Sequence, residues 1–417
     1  MHKRLAIIIT HPIQYYAPVF KLLAKQCDLK VLYTWGKVAL QAKYDPGFGK
    51  TITWDLPLLK GYDYEFLENT AKHPGSHHGK GIINPNIISK IENFAPDAIL
   101  VYGYIYQSHF KVMRHFKNKI PIWFRGDSTL LDDNKGWKKY LKSAYLKWVY
   151  SYVDKAFYVG NNNRAYFKKY GLKDEQLVFA PHAIDNERFA ENRQIEADKL
   201  RASLNIQPND TLILFAGKLE PKKNPELLLE AFMQLKKKRK ADFSTALEMT
   251  DRKVHLLFVG NGVLEDQIKQ QANNFNKEIT SSPEMTNCIH FMDFQNQTQM
   301  PVVYQACDIF CLPSQGPGET WGLAINEAMA ASKAIIASDK VGCTIDLIKY
   351  GTNGYGFKSN DLEDLKEKLK LMINQPNLIT DFGKQSQQII KNWSFGKQAG
   401  IFVDAINLMK TPILRNL

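Results

Sequence analysis

The stretch Pro313-Ser314-Gln315-Gly316-Pro317-Gly318-Glu319-Thr320-Trp321-Gly322-Leu323-Ala324-Ile325-Asn326-Glu327-Ala328-Met329-Ala330 organises the reading of the whole chain. Just before it, Asp308-Ile309-Phe310-Cys311-Leu312 is short, apolar and bounded by a turn signal, which reads as a buried strand. After it, Leu323 to Ala331 reads as a helix with small residues on its packing side. Glu319 then belongs to the strand-to-helix loop, and Glu327 stands about one turn into the helix. The first amides of such a helix have no intrahelical partner and suit a phosphate. A carboxylate in the loop and another on the helix can each accept hydrogen bonds from the hydroxyls of a polyol. The combination suits the chemistry of sugars and nucleotides.

Working outward, strand-like and helix-like patterns alternate, which favours parallel sheets. Strands are expected at Leu5–Ile9, Leu29–Tyr33, Ala98–Val101, Ile120–Phe124 and Lys155–Val159, with a helix at Tyr16–Lys25. A second series begins at Thr211–Ala216 and continues through Val254–Val259, Ile289–Phe291, Ile309–Leu312 and Ala334–Ala337. Helices are expected between these strands at Pro225–Lys237, Leu264–Asn273 and Met300–Ala306. The polar residues 190–210 read as a bridge ending in a short helix, and 236–253 as an exposed connection. Phe395–Met409 is helix-like.

A chain of 417 residues has a prior of two domains. No apolar run approaches the length of a membrane span. The apolar run after Lys3-Arg4 is short for a signal-peptide core and reads as a first strand. Five cysteines, an odd number without zinc spacing, read as reduced core thiols of a cytoplasmic protein. The net charge of +13 is uneven: residues 1–190 hold 28 Lys and Arg against 16 Asp and Glu, and the remainder 27 against 26. The basic first half attracts an acidic partner, such as anionic lipid at the inner face of a membrane. Solubility charge is the bland alternative. Lys138, Lys139, Lys142 and Lys147 alternate with Trp137, Tyr140, Leu141, Tyr145, Leu146 and Trp148, which suits either a membrane surface or a packed helix with a solvated lysine face.

Several further groups carry chemistry. Lys218 and Lys223 follow the strand Thr211–Ala216, where two ammonium groups can neutralise a diphosphate and stabilise the charge on a departing one. Gly260-Asn261-Gly262 permits a tight turn at a strand end. His11, Gln14 and Tyr15 follow the first strand, and Arg125 and Asp127 follow Ile120–Phe124. Asp127 can orient a hydroxyl or cap a helix. His73, His77 and His78 invite a metal reading, but no acid-rich neighbour set supports it, and an acceptor loop is preferred.

Four segments together resemble the retaining glycosyltransferase family 4 (glycosyl transferases group 1). Glu319 and Glu327 match its E-x7-E signature, and Gly217-Lys218-Leu219-Glu220-Pro221-Lys222-Lys223-Asn224 its G-R-L-x-x-x-K-G segment. Phe258-Val259-Gly260-Asn261-Gly262 resembles its V-G-x-G turn, and Ala180–Phe189 its P-N-G-V-D-x-x-x-F segment. They run in the family's order from about residue 178 to 357. The resemblance implies a GT-B fold: two Rossmann-like α/β domains facing a central cleft, with a C-terminal helix crossing back to the first. The expected domains are 1–190 with 395–417 for the acceptor, and 191–394 for the nucleotide-sugar donor.

By resemblance, Glu327 meets the ribose hydroxyls and Glu319 the donor sugar near its reacting carbon. The backbone from Thr320 through Trp321 and Gly322 to Leu323 meets sugar and phosphate. The loop after His290-Phe291-Met292-Asp293-Phe294 lines the nucleobase. Catalytic roles fall to Glu319, Lys218, Lys223 and Asp127, and acceptor contacts to His11, Gln14, Tyr15, Arg125 and Asp127. The chain departs from the family in having Lys218 where arginine is usual, no glycine-rich turn after the first strand, and Arg125 where histidine is common. The expectation is a hexosyl transfer from a nucleoside diphosphate sugar, most simply UDP-linked, to a glycan or lipid-linked acceptor. No bound metal, tightly held cofactor or nucleic acid is expected. A related epimerase and a non-catalytic basic nucleic-acid-binding protein are the alternatives.

Overall fold

The computed structural model describes residues 2–40, 43–45, 47–53, 55–76, 78–132, 136–242, 252–280 and 287–409. Its strands in chain order begin with β1 (Arg4–Ile9), β2 (Asp28–Tyr33), β3 (Lys43–Asp45), β4 (Lys50–Ile52) and β5 (Asp63–Phe66). Next come β6 (Ala98–Tyr102), β7 (Ile122–Arg125), β8 (Lys155–Tyr158) and β9 (Leu177–Phe179). The last six are β10 (Thr211–Ala216), β11 (Val254–Val259), β12 (Ile289–Met292), β13 (Ile309–Leu312), β14 (Ala334–Ser338) and β15 (Gly354–Phe357). The chain forms two compact units. One comprises residues 1–42, 56–183 and 393–417, the other 43–55 and 184–392.

The first unit is a parallel sheet of order β5-β2-β1-β6-β7-β8-β9. Its strands read as continuous apolar runs because both faces are covered. Within β1, Ala6 and Ile8 pack with Val112, Met113 and Phe116, whereas Leu5, Ile7 and Ile9 pack with Phe20 and Phe402. That alternation is the two-residue period of a strand serving two cores. Phe402 lies on the last helix, Phe395–Asn407, which rests beside Ala17–Leu23 and completes this unit. Ser394 caps it, its Oγ accepting from the Lys397 amide at 3.2 Å.

The second unit is a parallel sheet of order β12-β11-β10-β13-β14-β15. Residues 190–210 do not bridge domains: the passage between units falls at 183–184, and Gln194–Ser203 is a helix of the second unit. Arg201 explains its attachment. The buried guanidinium donates to the carbonyls of Ala306, Gln207 and Asp210 and to Asp308. The expected connection 236–253 is helical up to Asp242, in the helix Pro225–Asp242, and residues 243–251 lie outside those described. Residues 43–55, read from sequence as part of the first domain, instead belong to the second unit, with β3 and β4 pairing as an antiparallel hairpin.

All five cysteines are buried and free, and burial pushes the Cys307 thiol up to about 12. No helix of the described residues is long and apolar enough to cross a membrane.

Two histidines lie inside the second unit's sheet. His255 Nδ1 is 3.1 Å from His290 Nε2, and His255 Nε2 is 3.3 Å from Asp210. Burial lowers both rings to about 4. Unfolded, they titrate near ~6.5, so between the two values the unfolded chain binds protons that the folded chain refuses. Their contribution to stability is complete above about pH 6.5 and is lost as pH falls towards 4. His109, lowered to about 4 by burial in the first unit, acts in the same sense. The melting temperature should fall over this window, and His290→Gln should flatten the fall when melting is followed by calorimetry from pH 7 to pH 4.

Candidate functional site

In the second unit the strand order reverses between β10 and β13: from β10 the chain proceeds outward to β11 and β12, then returns to β13 and moves the other way. Loops leaving these two neighbours at their carboxyl ends diverge and leave a crevice, the usual ligand position in open parallel sheets. The loop after β10 carries Lys218 and Lys223, and the loop after β13 carries Ser314 and Glu319. Gln315 ties them together, its amide donating to the Lys222 carbonyl at 2.9 Å and its Nε2 to the Pro221 carbonyl at 2.7 Å.

Lys223 forms a close ion pair with Glu319 Oε2, and Ser314 Oγ donates to the same oxygen at 3.2 Å. The side chains are only 18% and 8% exposed, so solvent screens this pair less than a surface one. Lys223 thus holds the carboxylate in place, a contact the sequence reading did not foresee when it gave both lysines to phosphate. Oε1 accepts no hydrogen bond among the described residues and remains available to a ligand hydroxyl.

The helix Leu323–Ala330 begins at Gly322, whose φ is +94°. A side chain there would meet Val341 Cγ1 at 2.6 Å, so glycine is required by both conformation and space. No side chain caps this helix start. Gly342 fixes the loop from the other side. Its amide donates to the Glu319 carbonyl at 3.0 Å, and an added Cβ would stand 1.7 Å from the Thr320 oxygen.

Glu327 is buried, and its Oε2 accepts from Tyr304 Oη at 2.9 Å. Tyr304, on the helix Met300–Ala306, was not singled out from the sequence, because a tyrosine within an apolar helix gives no signal beyond core packing. Trp321 and Asn326 turn inward: Trp321 Nε1 donates to Asn326 Oδ1 at 2.9 Å, and both are buried. The Trp321 contribution to a ligand is therefore confined to its backbone, as is that of Thr320, Gly322 and Leu323 in the sequence reading.

Gly260-Asn261-Gly262 lies against the Lys218 loop. The Gly217 amide donates to the Val259 carbonyl, and the Leu219 amide to the Asn261 carbonyl, each at 3.0 Å. With φ of +130° at Gly260, an added Cβ would stand 2.1 Å from the Gly217 oxygen. Asn261 uses its side chain structurally, donating to Glu265 and Asp293 and accepting from the Phe294 amide at 2.9 Å. It orients the segment after β12 rather than presenting its amide to solvent.

The first unit gathers the expected acceptor residues at the carboxyl ends of its strands, with one exception in role. Arg125 is 1% exposed, and its guanidinium donates to the carbonyls of Ala180 and Pro181 at 2.9 and 3.2 Å. A side chain so engaged ties the end of β7 to the segment after β9, so direct contact with an acceptor is not what this geometry supports. Asp127 is half-buried and acts electrostatically on Tyr16, whose hydroxyl is pushed up to about 12, first by burial and then by that carboxylate. Tyr16 stacks on His182 at 5.7 Å, a pairing the sequence did not suggest. His11 Nδ1 is 2.8 Å from Thr10 Oγ1, and its ring stands edge-on to Trp35. Gln14 is buried and Tyr15 half-buried. His73 and His78 are exposed, and His77 lies outside the described residues. Among the described residues no group of three or more His, Cys, Asp or Glu could hold a metal ion.

Residues 196–389 match the family model described as glycosyl transferases group 1. Lipopolysaccharide 1,2-N-acetylglucosaminetransferase of Salmonella typhimurium is 28% identical over 235 residues, covering 52% of this chain and 57% of that protein. D-inositol 3-phosphate glycosyltransferase of Rhodococcus erythropolis is 25% identical over 240 residues, covering 56% of this chain and 48% of that protein. The chain spans about half the length of the curated relatives it matches. Among solved structures, HepE of Anabaena in complex with UDP has a TM-score of 0.68 at 15% identity, over 98% of this chain and 100% of that one. That likeness establishes a GT-B fold. The matched residues 196–389 hold the Lys223–Glu319 pair and Glu327, so the chain resembles the glycosyl transferases group 1 family over the unit that carries the candidate site.

Proposed function

We propose that this chain is a retaining glycosyltransferase that moves a hexosyl group from a nucleoside diphosphate sugar, UDP-linked in the simplest reading, to a hydroxyl of a glycan or lipid-linked acceptor. The observation that carries the reading is the pair of buried carboxylates, Glu319 and Glu327, held by Lys223, Ser314 and Tyr304 on the loop and helix after β13. Glu327 receives the ribose hydroxyls, and Glu319 Oε1 a hydroxyl of the donor sugar. Lys218, Lys223 and the uncapped helix start share the diphosphate charge. The bond from the anomeric carbon to the diphosphate breaks, and the acceptor oxygen bonds that carbon on the same face. The departing diphosphate oxygen takes the acceptor's proton. Asp127, His11, Gln14 and Tyr15 orient the acceptor. Relatives bearing glycosyltransferase names, and a structural neighbour that binds UDP, support this reading. Bacterial surface polysaccharide or glycolipid assembly is the setting it fits. A need for acceptor at every turnover separates it from a nucleotide-sugar epimerase.

The acceptor side includes a surface suited to anionic lipid. On the helix Lys138–Tyr150 and its preceding residue, Trp137, Tyr140 and Leu141 are 68%, 77% and 61% exposed, beside exposed Lys138, Lys139 and Lys142. Single exposed apolar residues are ordinary, but a cluster rimmed by lysine fits a bilayer interface. The packed-helix reading accounts for Leu146, Val149 and Tyr150, which are buried, and not for this face.

Four outcomes test the proposal. A thermal-shift panel of UDP, GDP, dTDP and ADP should show stabilisation by one base. Glu327→Gln should weaken that nucleotide by about tenfold, since a charged acceptor is replaced by a neutral one. It is a cleaner probe than Glu327→Ala, which strands the buried Tyr304 hydroxyl. No stabilisation by any of the four would sink the donor site. Gly342→Ala should abolish nucleotide binding, or folded protein altogether, because the Thr320 oxygen cannot yield the required space. In vesicle co-sedimentation, binding should require anionic lipid. Neutralising Lys138, Lys139 and Lys142 should reduce it roughly 100-fold, at about 1 kcal/mol per charge. Equal binding to neutral vesicles would count against the surface assignment.

A further inference from the structure

Residues 43–55 leave the sequence of the first unit to join the second, and their attachment is specific. Lys50 Nζ pairs with Asp293 Oδ2 at 2.7 Å. Asn296 Nδ2 donates to the Thr53 carbonyl at 2.7 Å, and the Thr298 amide to Asp55 at 3.1 Å. These contacts fasten the outgoing arm of the hairpin to the segment after β12. The turn of the hairpin then delivers Phe48. Its half-buried ring lies 4.8 Å from that of Phe294 in an edge-on arrangement, and the Lys218 ammonium stands 4.9 Å from its centroid. The Lys218 side chain also runs close to Gly47, where an added Cβ would fall 2.6 Å from Nζ.

Phe48 thus touches two groups at different ends of one ligand: Lys218, which the proposed function gives to the diphosphate, and Phe294, which precedes the loop that the family resemblance puts beside the nucleobase. Lys218 ends a flexible four-carbon stem and is a point charge without the rigid fork of a guanidinium. Such a side chain loses considerable rotamer freedom when a phosphate fixes it. An aromatic face on one side of the ammonium restrains the stem and sets the direction in which its charge faces a phosphate.

We infer that Phe48 is a positioning residue for the donor nucleotide, holding the Lys218 ammonium towards the diphosphate through its ring face. The inference rests on the donor site proposed above. Its test is calorimetric titration of the full chain with UDP and with uridine, or the nucleotide pair chosen by the thermal-shift panel. The wild type is compared with Phe48→Tyr, Phe48→Leu and Phe48→Ala. Phe48→Tyr retains the ring and should bind the diphosphate as the wild type does. Phe48→Leu keeps apolar bulk without the π face and should bind it about fivefold or more weakly, the size of a partly desolvated cation–π contact. Phe48→Ala should bind it no better than Phe48→Leu. Uridine affinity, which engages no phosphate, should change little across the series. If Phe48→Leu binds the diphosphate like the wild type, or uridine loses as much as UDP, the positioning role is overturned while the donor site stands. If the wild type binds no nucleoside diphosphate, both fall together.

Discussion

The pairing of β10 with β13 is the constraint on which the candidate donor site depends. Their hydrogen bonding, Ile213 beside Ile309 and Leu214 beside Phe310, makes two loops distant in sequence into neighbours. From that adjacency follow the Lys223–Glu319 ion pair, the Gln315 hydrogen bonds to the Lys222 turn, and the route of the chain into the Glu327 helix. The flanking strands hold the arrangement from both sides. Gly260 after β11 and Gly342 after β14 each lie so close to a backbone oxygen that neither position has room for a side chain.

Charge and burial act together here. Glu319 and Glu327 are buried, yet each accepts a hydrogen bond from a buried or half-buried donor, so desolvation does not leave either without partners. Lys223 supplies the countercharge for Glu319. Under the proposed function that lysine would face two anions, Glu319 and the diphosphate, and so link sugar contact to phosphate contact.

Much of this was legible in the sequence, because the central strands of parallel sheets are apolar throughout and end in glycine or charge. The β10–β14 runs stand out on that pattern, and the loops bearing Lys218, Glu319 and Gly260 stand out through the order of four segments that resemble the family. What stayed hidden has physical reasons. Arg125 sits where a ligand contact is expected, but its guanidinium finds carbonyls from the segment after β9, a meeting no local pattern records. Tyr304 and Asn261 are polar residues whose partners come from other elements. Residues 190–210 look like a linker because they are polar, yet Arg201 buries its head among four oxygens. The hairpin 43–55 carries too short an alternation to reveal which sheet it serves.

The hairpin's attachment also bears on how the protein is made. Lys50, Thr53 and Asp55 meet partners 243 positions later in the chain. At a synthesis rate of about 5–20 residues per second, those partners emerge roughly 10–50 seconds after the hairpin. The first unit can gather its strands long before then, leaving the hairpin as a loop that has yet to find its sheet. Docking of this loop therefore waits for the segment after β12, and a separately expressed fragment 184–392 lacks it.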